Sequence, residues 1–182
     1  MPRVWLSMLV LSGVALAGCA ARSDREVNTD ITDRVFGTPD ASAVARMQAM
    51  GGSRVDGAVR FQQYGNIVVV RVALTGLPPN RVFGLHVHEK GDCAAPGGHF
   101  NPTKAPHGRP GRGEQHAGDL RNQHSNGEGM VHDAFETTAL ALSGPTSVLA
   151  RAVVVSADPD DYTTQPDGKS GPPLACGIIR PN

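Results

Sequence analysis

The sequence predicts an all-β domain, a flattened sandwich or barrel of about eight short antiparallel strands. Three observations lead there. The 182 residues include 22 Gly and 14 Pro but only five Phe, two Tyr and one Trp, a composition suited to turn-rich β structure rather than to a helical bundle. Short runs rich in Val recur along the chain, each bounded by turn residues. No stretch of 43–182 has the periodicity of an amphipathic helix.

The first element precedes that domain. Arg3 is followed by an apolar run, 4–16, broken only by Ser7, Ser12 and Gly13. The run has the length of a signal-peptide core and is short for a permanent membrane span. It ends in Leu16-Ala17-Gly18-Cys19, which resembles a bacterial lipobox. The resemblance implies that 1–18 is a lipoprotein signal peptide, cleaved before Cys19, with acyl chains placed on that residue. Several acyl chains anchor a protein stably at a membrane surface, and Ala20 after the cysteine points to the periplasmic face of an outer membrane. Residues 19–42 carry Arg22, Asp24, Arg25, Glu26, Asp30, Asp33 and Arg34 without apolar patterning. They read as a flexible tether.

Residues 43–182 form the domain. Strands are expected at 44–50, 55–62, 67–74, 82–88, 119–124, 130–136, 149–156 and 175–179. Tyr64-Gly65-Asn66 supplies a tight turn between the second and third. Two connections break the regular spacing, 89–115 and 157–173. Long loops without strand pattern in a compact domain are usually functional or disordered. The first carries two histidines and a cysteine, with a third histidine directly after it, which favours function.

The 17 basic and 17 acidic residues cancel, so nothing in the bulk charge indicates a nucleic-acid partner. Histidine is the informative residue. Five of the seven lie between His86 and His116. His86 and His88 stand two apart on an expected strand, so both imidazoles face the same side. His99, His107, His116 and Asp119 follow, and three imidazoles with one carboxylate make a four-coordinate set suited to zinc. Cys93 and Cys176 remain once Cys19 is lipidated. Two cysteines in an exported domain are more often paired than free.

Four motifs occur in order: Gly84-Leu85-His86-Val87-His88-Glu89, Gly98-His99-Phe100-Asn101-Pro102, His116-Ala117-Gly118-Asp119-Leu120 and Leu174-Ala175-Cys176-Gly177. With them the sequence resembles the copper–zinc superoxide dismutase family over 43–179. The resemblance implies an eight-stranded Greek-key β-barrel with two long functional loops and a Cys93–Cys176 disulfide. It implies zinc at His99, His107, His116 and Asp119, and copper at His86, His88 and the bridging His99. It also makes Asp160 the carboxylate that orients His86 and His107, the kind of partner that fixes an imidazole tautomer.

Two positions depart from the family. Ser156 stands where the resemblance expects the fourth copper histidine, and a neutral hydroxyl is a far poorer copper ligand than imidazole. Pro173 stands where it expects the arginine that attracts superoxide. The adjoining loop holds Asp158, Asp160, Asp161 and Asp167 against Lys169 alone, so attraction of an anion there should be weak. His124 and His132 lie elsewhere in the β-region and are expected at the surface.

The sequence therefore supports competing functions. The preferred one is a dismutase-like metal-binding lipoprotein with an intact zinc site, a weakened copper site and little or no dismutase activity, serving metal buffering or copper capture in the envelope. The alternative is a working dismutase that converts superoxide to oxygen and hydrogen peroxide on three-histidine copper. A third is a partner-binding module in which zinc only stabilises a loop. The partners expected are metal ions and a membrane, with a homodimer left open.

Overall fold

The computed structural model describes residues 35–182. The expected signal peptide, the lipidated Cys19 and most of the expected tether lie outside the described residues.

Among the described residues ten strands follow in order: β1 (Ala41–Ala49), β2 (Asp56–Tyr64), β3 (Ile67–Thr75), β4 (Val82–Phe83), β5 (Leu85–Val87), β6 (Gln123–His124), β7 (Val131–Thr137), β8 (Ala152–Ser156), β9 (Pro173–Ile178) and β10 (Arg180–Pro181). Eight of them make one antiparallel sheet, ordered β5-β8-β9-β1-β2-β3-β7 with β10 also paired to β1. The sheet curls into a half-barrel, and β4 and β6 form a separate two-stranded pair. The all-β barrel class expected from the sequence is the class observed.

Alternation explains the curl. Val68, Val70, Val72 and Leu74 of β3 point inward and are almost fully buried, joined by Val59 and Phe61 of β2 and Leu85 and Val87 of β5. Side chains at alternate positions share one face of a strand, so this Val-rich spacing gives each strand a core side. The turn at Gly65-Asn66 joins β2 to β3, whose register runs from Tyr64↔Ile67 to Asp56↔Thr75.

The strand expected at 149–156 begins only at Ala152, and two others are broken or reduced more sharply. The run 82–88 is divided at Gly84, whose N–H donates to Asp158 O at 2.9 Å while its carbonyl accepts from Ser156 N at 3.0 Å. The run 119–124 is reduced to β6, because Asp119 and Leu120 pair with β5 instead: Asp119 bridges His86, and Leu120 N donates to Leu85 O at 3.3 Å. Both losses place backbone at the metal cluster described next. Between β5 and β6, and again between β8 and β9, the chain runs without named strands.

Candidate metal centre

The outer face of β5, β8 and β9 holds the site. Leu85 and Val87 point into the barrel core, so His86 between them points out of it. Its partner across the ladder is Val154, which with Ala152 and Cys176 forms a second, smaller apolar cluster. His86 is only 1% exposed, because the 88–122 loop folds back over this face.

Backbone pairing fixes that loop. Phe100 N donates to Val87 O at 2.8 Å, Val87 N to Gly118 O at 2.9 Å, and Gly118 N to Phe100 O at 2.8 Å. Isolated bridges pair His88 with His99 and His86 with Asp119. Residues far apart in sequence are thereby set side by side before any metal is considered. Gly118 is required by this packing: a Cβ there would overlap the Val87 carbonyl oxygen and crowd Phe100 N. The loop is also tied down covalently, since Cys93 is disulfide-bonded to Cys176 on β9 with their Cα atoms 5.8 Å apart. Arg151 stacks its guanidinium 3.6 Å above the Phe100 ring, bracing the residue next to His99.

His99, His107, His116 and Asp119 are all buried, and one ligand atom from each lies within 4.8 Å of the others. Asp119 is the hub. Its Oδ1 is 2.8 Å from His99 Nδ1 and 3.3 Å from His116 Nδ1, and its Oδ2 is 3.0 Å from His107 Nδ1. Yet His107 Nδ1 and His116 Nδ1 make no hydrogen bond: they are close to the carboxylate without being aligned with it. Two buried ring nitrogens beside one carboxylate and without hydrogen bonds are costly as hydrogen-bonding groups and suited to metal coordination. A tetrahedral ion with bonds of about 2.0–2.1 Å needs donors roughly 3.3 Å apart. The three imidazoles and one carboxylate fit zinc in number and chemistry, and they already lie near one another.

Asp160 reaches this cluster from the second loop. His86 donates Nε2–H to its Oδ2 at 2.7 Å, and His107 donates Nε2–H to its Oδ1 at 2.9 Å. Each bond fixes a tautomer and leaves Nδ1 bare. Asn122 holds Asp160 in turn: Asp160 N donates to Asn122 Oδ1 and Asn122 Nδ2 donates to Asp160 O, both at 2.9 Å. His88 donates Nδ1–H to Gly97 O at 2.9 Å, which leaves its Nε2 bare. The His86 and His99 rings stack with centroids 3.9 Å apart, and the His88 ring stands edge-on to both.

The electrostatics follow from burial and these partners. Burial is the largest influence on His86 and brings its imidazole down to about 4, against the opposing Asp160 hydrogen bond. Burial likewise lowers His88 and His116. His107 is also pushed down by burial, but the Asp160 hydrogen bond and the charges of Asp119 and Asp160 outweigh it and raise the group. Burial would raise Asp119, yet His99 and the N–H groups of Gly108 and His116 hold its carboxyl at about 2. Asp160 stays low against burial through His86, the Tyr162 N–H and His107. Both carboxylates are thus charged acceptors, and burial favours the neutral form of His86, His88 and His116, the form a cation requires of an imidazole ligand.

A protein-family model described as copper/zinc superoxide dismutase matches residues 55–179. The chain belongs to the copper/zinc superoxide dismutase family. The Cu-Zn superoxide dismutase of Yarrowia lipolytica is 38% identical over 141 residues, covering 71% of this chain and 92% of that protein. An extracellular Cu-Zn superoxide dismutase of Brugia pahangi is 34% identical over 165 residues, covering 84% of this chain and 82% of that protein. Among solved structures, that titled clock protein EA4 superposes with a TM-score of 0.71 at 35% identity, covering 80% of this chain and 96% of that one.

In this superoxide dismutase-family chain, Ser156 closes β8 as a buried residue, and Pro173 opens β9 as an exposed one. His124 on β6 and His132 on β7 are exposed. All seven histidines are therefore located, five in the cluster and two exposed on β6 and β7. Sequence reasoning missed Asn122, Gln165 and the Gly97 carbonyl, which hold Asp160, His107 and His88. Neither an amide side chain in a polar loop nor a backbone carbonyl carries a sequence signal of such a task.

Proposed function

We propose that the mature chain is a zinc-bearing, dismutase-like lipoprotein with little or no dismutase activity, acting in metal buffering or copper capture at the cell envelope. His99, His107, His116 and Asp119 hold the zinc. A zinc ion there supplies a cross-link between loop and barrel and no redox chemistry. Asp160 keeps His86 and His107 in the tautomers that present Nδ1. The observation that carries this reading is Ser156, a hydroxyl at the strand end where the family resemblance expects an imidazole, with the two remaining histidines exposed on β6 and β7.

The test is the copper and zinc content of the mature protein after both metals are offered and loosely bound ions are removed. One zinc with little copper supports the proposal. Near-stoichiometric copper, with superoxide consumed as fast as by ordinary family members, sinks it.

One observation favours a second reading, a functional dismutase. His86, His88 and His99 remain gathered, and each has one ring nitrogen already engaged, which leaves the other for a second metal. Three imidazoles could hold copper more weakly and let it cycle. Superoxide consumption that rises in step with added copper, and falls in His88→Ala, distinguishes this reading.

The envelope location rests on the lipobox-like Leu16-Ala17-Gly18-Cys19, on the disulfide and on the extracellular relative. Partition of the protein into a detergent phase, lost in Cys19→Ala, tests the anchor.

A further inference from the structure

His107 lies outside every strand, so its peptide N–H and carbonyl have no ladder partner of the kind that buried backbone groups need. One side chain supplies both. His107 N donates to Gln165 Oε1 at 2.8 Å, and Gln165 Nε2 donates to His107 O at 2.8 Å, across 58 residues of sequence. Only an amide side chain offers a donor and an acceptor in this fork. A carboxylate would accept without donating, and an ammonium would donate without accepting. The same loop also holds the far side of the imidazole through Asp160. His107 is therefore gripped at three points by the β8–β9 loop, and its Nδ1 is the atom left facing Asp119 and the other imidazoles.

We infer that Gln165 is a positioning residue for the metal ligand His107: by fixing the main chain on either side of the ring, it sets where Nδ1 stands relative to His99, His116 and Asp119. The inference rests on the zinc reading of that cluster. It adds that zinc affinity depends on an exposed side chain of the other loop that touches no metal. A flexible 88–122 loop alone would have to order His107 when the ion binds, whereas the clamp orders it beforehand.

The test compares the mature protein with Gln165→Ala, Gln165→Glu and Thr164→Val. Thr164 donates its hydroxyl to Asp161 in the same loop, so its loss loosens that loop without touching His107. Zinc affinity is read by chelator competition, and ligand geometry by the visible spectrum of cobalt placed in the same site. Gln165→Ala should weaken zinc by about 10–100-fold, the usual scale for removing a partner that orients a ligand, and should shift the cobalt bands. Gln165→Glu, which keeps the acceptor for His107 N–H, should fall between it and wild type, and Thr164→Val should match wild type. Wild-type affinity and spectrum in Gln165→Ala would overturn the positioning role while leaving the zinc site standing. An equal loss in Thr164→Val would also overturn it, by showing that loop order alone matters. Failure of the unmodified protein to take zinc would overturn the site reading and this inference together.

Discussion

Ser156 and Pro173 are cross-strand partners at the end of the β8–β9 ladder, paired just beyond a register shift between Val155 and Ser156. The two positions at which the family resemblance expects a histidine and an arginine are thus one place in the structure. Their side chains sit at the mouth of the second loop, where Ala157 N donates to Pro172 O at 2.9 Å. Their effects should therefore be coupled, as for neighbours that share a contact. On the proposed zinc-bearing reading, Ser156→His should raise copper retention, and Pro173→Arg alone should change little. Together they should raise superoxide consumption by more than the product of the single effects. The arginine's share should be about tenfold or more at low ionic strength and fade with salt. Dismutation assays on the four proteins at two salt concentrations decide it. Independent, multiplicative effects would mean that the pairing has no functional consequence.

Acid should destabilise the zinc-free protein from the neutral side. His86 has a folded-state value of about 4 against 6.5 when unfolded. Between those values the unfolded chain binds the proton and the folded chain does not, so stability falls as pH is lowered through that window. The loss is on the order of 3 kcal/mol. His88 and His116 act in the same direction. His107, raised, opposes them: its contribution is present below the ordinary histidine value and is lost as pH rises through its folded value. Asp119 and Asp160, both lowered, extend the decline below the ordinary carboxylate range. Denaturant melts of the chelated protein from pH 7.5 to 4 should show this slope, reduced in His86→Gln. A flat profile would contradict the burial argument.

Much of this site was legible in the sequence, for a physical reason. Histidine is uncommon, and a metal needs several at once, so five between His86 and His116 stand out before any folding is considered. The barrel strands were legible because Val alternation at 67–74 requires one buried face. What could not be read was how backbone groups are spent. Gly84 divides an apparently continuous strand because its N–H and carbonyl are taken by Asp158 and Ser156. Asp119 leaves the strand expected at 119–124 because it is committed to three imidazoles. Asn122 and Gln165 act on main-chain atoms, and any loop amide would look the same in sequence.

Gly168 should not accept a side chain. Its φ is +64°, and a Cβ there would overlap the Asp160 carboxylate and approach His107 Nε2. Gly168→Ala should therefore cost about 1–2 kcal/mol for the left-handed backbone. It should also push Asp160 off His86 and His107, with zinc affinity lowered by about 10–100-fold. Calorimetric melting and zinc competition measure the two effects separately. A variant that melts lower but binds zinc normally would show that Asp160 can move aside without loss.

The disulfide should govern both stability and the loop. Cys93 and Cys176 are 83 positions apart, so the cross-link restricts a long segment of the unfolded chain and should stabilise the fold by ~4 kcal/mol in the chain-entropy model. For a domain of this size that corresponds to a drop of roughly 10 °C in melting temperature on reduction. The local effect is more specific. Cys93 starts the stretch that carries His99, His107 and His116, and Cys176 sits opposite Val154, the ladder partner of His86. Reduction should therefore loosen the metal loop against the strand that positions His86, and zinc should dissociate faster from the reduced protein at temperatures where it is still folded. Stopped-flow transfer of zinc to a chromogenic chelator, with and without reductant at 25 °C, reads this directly. Equal release rates would confine the disulfide to the unfolded state.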